Sequence, residues 1–259
     1  MSELFCSVAG EGPPLLLVHG VGGTGGFWED VVDRLAPSFT CAAVDLEDFG
    51  RSPRLTTQKT VAERAAPLAA LIDELSLCPA VVVGHSLGGM VAQELALAAP
   101  GRVGALVLCN TIPRATDRVR EINAALGALA LEHGSAALAE AMAPGLFGPG
   151  ALEGTEKARA RFVADCGAAD PAALAGALQA IMGFDALGRL GGVGVPALVV
   201  AGEHEPNCDD QRLLATALGR GTFAVVAGAG HMAPAEAPDA FSELVRGFLG
   251  AEAPGGARA

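Results

Sequence analysis

A serine between two glycines stands where an apolar run gives way to an amphipathic stretch. Residues 84–88 read Gly-His-Ser-Leu-Gly, which fits G-x-S-x-G, and the apolar run 80–83 before them indicates a buried strand. Apolar side chains recur at helical spacing after the serine, so it lies at a sharp turn from strand to helix. Glycines allow such a strained corner, and the helix N-terminus favours negative charge beside it. The pattern predicts that Ser86 is a nucleophile; the alternative is an ordinary glycine-rich turn.

A serine hydroxyl attacks efficiently only when a positioned base removes its proton. Of the five histidines, His231 is the one that combines a glycine-rich loop with a position after the last predicted strand. Loops that follow parallel strands share one edge of the sheet, so His231 is expected at the edge that carries Ser86. We therefore predict His231 as the base. The other histidines are His19, His85, His133 and His204.

The base needs an acid to orient it, and four carboxylates compete in the loop that follows the preceding predicted strand, 196–201. Glu205 lies three residues past Gly202, where the chain leaves the strand, and is our predicted acid. Asp209 and Asp210 fit the N-cap and first turn of the next helix better. Glu203 is expected to point away from the site.

An acyl-transfer intermediate also needs two N–H donors where its negative charge develops. The backbone N–H of Leu87 comes with the turn after Ser86. The loop after the apolar run 15–18 reads His-Gly-Val-Gly and brings backbone close to the serine. We predict the N–H of Val21 as the second donor.

The elements that must position these residues alternate between strand and helix. Apolar runs at 4–9, 15–18, 40–46, 80–84, 103–109, 196–201 and 222–226 predict strands, and helical patterns lie at 27–35, 60–75, 87–99, 209–218 and 238–249. This alternation predicts an α/β fold with a mostly parallel sheet and helices on both faces.

The alternation stops between residues 113 and 190, where the pattern is helical throughout. We expect breaks in this helical stretch at 144–145, 147–150 and 170–171, where proline and glycine cluster. We predict an α/β core at residues 1–112 and 191–250, an inserted all-helical lid at 113–190, and a disordered tail at 251–259.

Composition narrows the classes of partner. The chain has 259 residues, enough for one large domain, and 51% of them are hydrophobic. A net charge of −12 argues against nucleic acid or an anionic membrane as partner. Six scattered cysteines suggest reduced, buried thiols, and neither a leader nor a membrane span is apparent. A cytoplasmic enzyme with a small-molecule substrate is expected; the oligomeric state cannot be read from the sequence.

Taken together, these segments resemble the α/β-hydrolase fold family over nearly the whole chain. His19-Gly20 resembles the family's oxyanion loop, residues 84–89 its elbow, residues 202–205 its acid segment and Gly230-His231 its base segment. Within the family, the chain looks most similar to the 3-oxoadipate enol-lactonase and small esterase branch, through residues 106–111 and the lid length. The resemblance implies a serine acyl-enzyme without cofactor or metal. Serine at position 86 is unlike the aspartate nucleophile of the dehalogenase and epoxide-hydrolase branches.

The chain departs from the family pattern at two places. Glu205 stands where the family usually has aspartate, and the longer side chain changes the geometry of the contact with the base. The pair Glu47-Asp48 replaces the family's Arg-Gly in the segment that begins at Asp45, which leaves the nearby pocket wall open to question.

The function expected from the residues is hydrolysis of an ester or lactone of a small, mostly apolar acid. The same fold could instead serve as a thioesterase or perhydrolase, in C–C bond hydrolysis, or in a non-hydrolytic rearrangement or binding role. A NAD-linked oxidoreductase is the more remote alternative. Residues 20–25 satisfy G-x-G-x-x-G after a strand, and Asp45 ends the next strand, where a ribose-binding acid would lie.

Overall fold

The structure, a computed structural model, describes residues 2–55, 57–150, 152 and 154–252. The strands in this part of the chain are β1 (Cys6–Ala9), β2 (Pro14–Val18), β3 (Thr40–Val44), β4 (Ala80–His85), β5 (Val103–Cys109), β6 (Ala197–Gly202) and β7 (Gly221–Val226). They form one sheet in the order β1-β3-β2-β4-β5-β6-β7. Only the pair β1–β3 is antiparallel among these strands. The mostly parallel sheet confirms the predicted fold class.

Continuous apolar runs explain why the middle of the sheet is covered on both faces. Residues 15–18 of β2 and 197–202 of β6 are buried throughout. The edge strands β1 and β7 are instead mostly half-buried or exposed. A strand whose side chains all avoid water needs packing partners above and below the sheet.

Helices supply those partners. They are α1 (Glu29–Leu35), α2 (Ala65–Glu74), α3 (Leu87–Ala98), α4 (Asp117–Leu146), α5 (Thr155–Ala168), α6 (Pro171–Met182), α7 (Cys208–Ala217), α8 (Ala233–Glu236) and α9 (Pro238–Glu252). The chain runs from β2 to β3 in one direction and then back past β2 to β4 and β5. Right-handed crossovers therefore place α1 on one face and α2 and α3 on the other. α1 packs against α9, and α2 packs against α3.

The reversal of direction creates a crevice between the carboxyl ends of β2 and β4. β2 pairs with β3 on one side and β4 on the other, so the loops that leave β2 and β4 diverge toward opposite faces. Such a switch point is where open α/β sheets bind ligands. The loop after β2 carries Val21 and the turn after β4 carries Ser86, so the topology places both at this crevice.

The segment 113–190, predicted as a lid, carries α4, α5 and α6. Its two ends pair with each other, since Ala115 N–H donates to Phe184 O at 2.8 Å and Ala186 N–H donates to Pro113 O at 2.9 Å. This short antiparallel contact closes the base of the segment. The helices pack on one another, α4 against both α5 and α6. Their role as a lid stays a prediction.

The break points inside this segment differ in part from those expected. α4 continues through Pro144 and Gly145 to Leu146, so the break predicted at 144–145 is wrong. The kink lies instead at Gly134, whose φ of 84° is a conformation that glycine adopts at little cost. The other two predicted breaks occur: α4 ends before residues 147–150, and Asp170 caps α6 after the end of α5.

Three further expectations concern the thiols, the tail and membranes. All six cysteines are free, but only Cys41, Cys109 and Cys166 are buried, and Cys78 is exposed, so the expectation of uniformly buried thiols is wrong.

The last helix extends through residues 251 and 252, and the rest of the predicted tail, 253–259, lies outside the described residues. In the described part of the chain, no helix has the length and apolarity needed to cross a membrane.

Candidate active site

Ser86 occupies the strained corner between β4 and α3. Its φ of 52° and ψ of −117° lie outside the regions that residues with side chains ordinarily adopt. The corner depends on its flanking glycines: a Cβ on Gly84 would lie 2.5 Å from the carbonyl oxygen of Gly88, and one on Gly88 would lie 2.2 Å from that of Val18. A strained backbone held in this way points to a functional role for the residue that bears it.

Hydrogen bonds from β5 and the residues after it hold the corner in place. Ser86 N–H donates to the Cys109 carbonyl at 3.0 Å, and the Thr111 hydroxyl donates to the Ser86 carbonyl at 2.7 Å. His85 contributes from the elbow itself, because its Nε2–H donates to the carbonyl of His231 at 2.8 Å. Burial and the neighbouring His231 lower the pKa of His85 to about 3, so this ring stays neutral. The turn of Ser86 and the loop of His231 are thus tied together.

His231 follows β7 and contacts the carboxylate that was predicted for it. Its Nδ1 lies 2.7 Å from Oε2 of Glu205, which leaves β6. Glu205 is buried and accepts three more hydrogen bonds: from Asn110 Nδ2 to Oε2 at 2.9 Å, and from Asn207 N–H and Nδ2 to Oε1 at 3.1 and 3.2 Å. Four donors around one buried carboxylate define its orientation.

The two groups shift each other's pKa in opposite directions. Burial by itself would raise the pKa of Glu205, but the charge of His231 and the hydrogen bonds from His231, Asn110 and Asn207 lower it to about 2. Burial would lower the pKa of His231, but the charge and hydrogen bond of Glu205 raise it. An ionised Glu205 accepts a hydrogen bond from Nδ1–H, so neutral His231 keeps its proton on Nδ1 and carries its lone pair on Nε2.

The competing carboxylates are engaged elsewhere. Glu203 accepts a hydrogen bond from Gly228 N–H at 2.8 Å and is exposed. Asp209 and Asp210 lie in the first turn of α7. Within the described chain, Glu205 is therefore the carboxylate of this loop that contacts His231.

The loop after β2 packs directly against the serine. A Cβ on Gly20 would lie 3.0 Å from both Ser86 Cβ and His85 Nδ1, so the backbone passes as close as glycine permits. Buried His19 anchors the loop, since its Nε2 accepts from Leu46 N–H at 2.9 Å and its Nδ1 donates to Gly20 O at 2.7 Å. Burial lowers the pKa of His19 to about 4, which keeps the ring neutral for both bonds.

The two predicted N–H donors flank this contact. Val21 lies next to Gly20 in the loop, and Leu87 is the first residue of α3. As the first residue of α3, Leu87 has no acceptor for its N–H within the helix. The use of both N–H groups as oxyanion donors stays a prediction.

A cavity of about 260 Å³ opens at this point. Ser86, Val21, Glu205 and His231 line it, although no hydrogen bond joins the Ser86 and His231 side chains in the described chain. Such contacts are often long before substrate binds. The remaining walls are mostly apolar and come largely from the segment 113–190, through Val119, Ile122, Met142, Leu146, Phe162 and Leu178.

Comparison with known families agrees with this geometry. The family model described as "Alpha/beta hydrolase family" matches residues 15–244, from β2 into α9. The chain belongs to this family. It is an enzyme of the hydrolase class, and the predicted resemblance is confirmed.

The hydrolase is similar over at least 95% of its chain to proteins whose names give different substrates. RutD of Azorhizobium caulinodans, named as a carbamate hydrolase, is 29% identical over 255 residues, which are 96% of each chain. The enol-lactonase of Burkholderia xenovorans LB400 is 26% identical with a TM-score of 0.88, covering 95% of this chain and 96% of its own. A thermophilic esterase of Thermogutta terrifontis with malate bound is 26% identical with a TM-score of 0.87, covering 95% and 92%.

The features that suggested a dinucleotide site have other roles in the hydrolase. Both carboxylate oxygens of Asp45 are occupied, Oδ1 by Gly25 N–H at 2.6 Å and Oδ2 by Arg51 N–H at 2.8 Å. The glycine-rich loop is followed by a short 3-10 turn at Gly25–Trp28 and not by a helix that could face a pyrophosphate. Asp45 therefore organises the loop after β2.

The unusual acidic pair also lies away from the site. Glu47 pairs with Lys59 at 2.7 Å, and Asp48 pairs with the buried Arg64 at 3.3 Å. Neither acidic residue lines the cavity. The departure from the family pattern at this segment is accommodated by local ion pairs.

Sequence reasoning missed the residues that support the pair Glu205–His231. Asn110, Asn207 and His85 all donate hydrogen bonds to Glu205 or to the backbone of the His231 loop. Two of these residues could have been noticed in the sequence, because Asn110 directly follows the end of a strand and His85 lies within the elbow pattern. The contacts themselves join residues up to 146 positions apart in the chain.

Proposed function

We propose that the hydrolase cleaves esters or lactones of small, largely apolar acids through an acyl-enzyme on Ser86. The observation that carries the proposal is the contact of the buried Glu205 carboxylate with His231 Nδ1 at a cavity that Ser86 also lines. A carboxylate, an imidazole and a hydroxyl in these positions are the components of a catalytic triad.

In the proposed mechanism, Ser86 Oγ attacks the carbonyl carbon while Nε2 of His231 takes its proton. Glu205 accepts the Nδ1–H bond and stabilises the imidazolium that forms. The N–H groups of Val21 and Leu87 bind the oxyanion. His231 then returns the proton to the leaving alkoxide, and a water molecule repeats the sequence on the acyl-enzyme, which releases the acid and restores Ser86.

The size and lining of the cavity support the proposed substrate class. A volume of about 260 Å³ suits a small acyl group, and walls of aliphatic, methionine and phenylalanine side chains favour apolar substituents. The names of the similar proteins also support it, since esters, lactones and carbamates all present a carbonyl carbon to a nucleophile. We propose residues 113–190 as the lid of this cavity.

A series of p-nitrophenyl esters with acyl chains of two to twelve carbons tests the substrate class. We expect kcat/KM to rise from acetate, peak at a short to medium chain and fall once the acyl group exceeds the cavity. A methyl carbamate and a five-membered lactone in parallel assays distinguish the carbamate and lactone classes suggested by the relatives. A flat response across the series, with no turnover above background, would contradict the proposal.

Labelling with a fluorophosphonate tests the mechanism without a substrate. The reagent phosphonylates an activated serine with loss of fluoride, so intact-mass analysis and peptide mapping should find one adduct, on Ser86. The Ser86→Ala protein is the matched control. Absence of an adduct on Ser86 would rule out the serine mechanism.

A further inference from the structure

Asn110 lies at a backbone position that few residues accept. It follows the end of β5, between the strand that leads to Ser86 and the strand that leads to Glu205. Its φ is +47°, and its N–H donates to the Val200 carbonyl at 2.9 Å. Asparagine, aspartate and glycine tolerate this left-handed conformation, whereas most other residues are strained in it. The side chain is buried.

The amide of Asn110 contacts both parts of the pair Glu205–His231. Its Nδ2 donates to Glu205 Oε2 at 2.9 Å, the same oxygen that lies 2.7 Å from Nδ1 of His231. The same nitrogen lies 3.3 Å from the carbonyl of Gly230, the residue before His231. The thiol of Cys109 lies 2.9 Å from Oδ1, which orients the amide so that Nδ2 faces the carboxylate.

We propose that Asn110 is a positioning residue that holds Glu205 ionised and aligned with Nδ1 of His231 and fixes the backbone of the His231 loop. This inference rests on the proposed function. A neutral donor is suited to the position, because it stabilises a buried carboxylate without adding a charge that would compete with the imidazolium.

The other titratable groups around the pair leave Glu205 as its main charged partner. His85 on β4 and Cys109 on β5 both stay neutral, because burial lowers the pKa of the first to about 3 and raises that of the second well above its ordinary value. Buried Glu236 on α8 accepts from Gly230 N–H at 2.8 Å and adds a weaker negative influence on His231. A new charge at position 110 would therefore be felt directly by His231.

Two substitutions that keep the backbone conformation test the inference. Asn110→Gly removes the amide, and we expect kcat on p-nitrophenyl acetate to fall by about 10- to 100-fold because the acid and base are no longer held in register. KM should change by a smaller factor than kcat because Asn110, although it lines the cavity, acts on the reaction through Glu205. Asn110→Asp replaces the donor by a carboxylate beside Glu205. The two neighbouring carboxylates share one proton until the pH passes the higher of their two pKa values. Above that pH the additional charge should favour imidazolium and move the acid limb of kcat/KM to higher pH.

Asn123→Ala is the matched control. Asn123 lines the same cavity, but its Nδ2 donates to the Val119 carbonyl at 2.7 Å and touches neither Glu205 nor His231. Because Asn123 belongs to the cavity wall, its kcat and KM are not the comparison; we expect the pKa values in its pH profile to match those of the wild type. Thermal midpoints of all variants show whether a loss of activity follows a loss of stability.

A titration of His231 by NMR of isotopically labelled imidazoles gives a readout that needs no substrate. Asn110→Asp should raise the pKa of His231 relative to the wild type, and Asn123→Ala should not. An unchanged His231 titration in Asn110→Asp, once carboxyl ¹³C NMR shows both carboxylates ionised, or kcat within threefold of wild type in Asn110→Gly, would overturn the inference. Failure of the proposed function is recognised separately, because the wild-type protein would then lack both ester turnover and a Ser86 adduct.

Discussion

Ser86 has a strained backbone conformation and lines the cavity. Replacing it by alanine removes a single oxygen and should leave the fold intact. We expect Ser86→Ala to lower kcat on p-nitrophenyl acetate by about 10⁴-fold or more, because the proposed acyl-enzyme forms on the Ser86 hydroxyl. Steady-state kinetics measure this, with circular dichroism as the control for folding. Retention of more than a tenth of the wild-type rate would show that Ser86 is not the nucleophile.

The contact between Glu205 and His231 predicts a clear ranking among three acidic residues. Glu205→Gln should lower kcat by about 10⁴-fold, because the amide cannot stabilise the imidazolium and can favour the wrong tautomer. Asp209→Asn and Asp210→Asn should each lose less than about tenfold, since both residues lie in the first turn of α7.

Turnover numbers of the three variants in one assay decide the ranking. Glu205→Asp is an informative fourth variant, because it keeps the charge but shortens the side chain and should retain partial activity. If Asp209→Asn or Asp210→Asn proved to be the inactive protein, the acid would have to be reassigned while the pair Ser86–His231 stood.

At the scale of elements, the segment 113–190 is attached unevenly to the core. α5 is held to the loop after β2 by Thr24 Oγ1–H, which donates to Asp165 Oδ2 at 3.0 Å, and by Arg161, which donates to Gly26 O at 2.8 Å. The part of α4 before the kink at Gly134 has exposed Ile122 and Leu131. The buried residues in that part of α4 are Val119, Gly127 and Ala130. A helix with few buried side chains and a kink opens more easily than the core strands.

A buried carboxylate joins this segment to the His231 loop. Glu236 accepts from Gly148 N–H and from Gly230 N–H, each at 2.8 Å. The first of these residues follows α4 and the second precedes His231. Glu236 therefore links the end of α4 to the backbone beside His231.

We predict that amide exchange is faster in residues 113–190 than in the strands at 80–84 and 103–109, and fastest in α4 before Gly134. Phosphonylation of Ser86 should slow it, because an adduct in the cavity contacts the lid. Hydrogen–deuterium exchange with mass spectrometry measures both effects. Uniform protection that the adduct leaves unchanged would indicate that the segment is a fixed part of the core.

Asp165→Ala provides a directed control for the lid experiment. It removes the hydrogen bond from Thr24 without touching the cavity, so exchange should increase in α5 while the strands keep their protection.

For the whole molecule, the acid-base pair links activity to stability. The pKa of Glu205 is lowered from 4.5 to about 2, so this carboxylate binds a proton less readily in the folded protein than in the unfolded chain. The contribution of Glu205 to the free energy of unfolding is fully present above about pH 4.5 and is lost as the pH falls toward 2. The excess of negative charge, −12 at pH 7, decreases over the same range.

We expect the wild-type protein to lose more unfolding free energy than Glu205→Gln between pH 4.5 and 2.5. The glutamine side chain of the variant does not titrate, so the difference in stability between the two proteins should narrow as the pH falls. Urea unfolding at pH 7, 4.5, 3.5 and 2.5 measures it. A constant difference across this range would mean that Glu205 has no lowered pKa in the folded protein.

The fold class and the candidate catalytic residues could be predicted from the sequence alone, because each depends on the pattern within short segments of the chain. Unbroken apolar runs predict buried parallel strands, and a serine between glycines at a strand end predicts an elbow. The bounds of β5 agree with the predicted range, 103–109, and the other strands agree within two residues at each end. Glu205 was also preferred over its neighbours from its spacing after Gly202, and the structure places it against His231.

Which distant side chains meet depends on the three-dimensional arrangement of the strands. Asn110 and Glu205 are 95 residues apart, and nothing in the spacing of either indicates that an amide at the end of β5 reaches the carboxylate after β6. Their contact follows from the adjacency of β5 and β6 in the sheet. The kink at Gly134 could not be predicted either, because an isolated glycine in a helical pattern does not reveal a positive φ. The residues of the proposed mechanism can therefore be recognised from their neighbours in the chain. The hydrogen bonds that support the site join residues from strands that are distant in the chain but adjacent in the sheet.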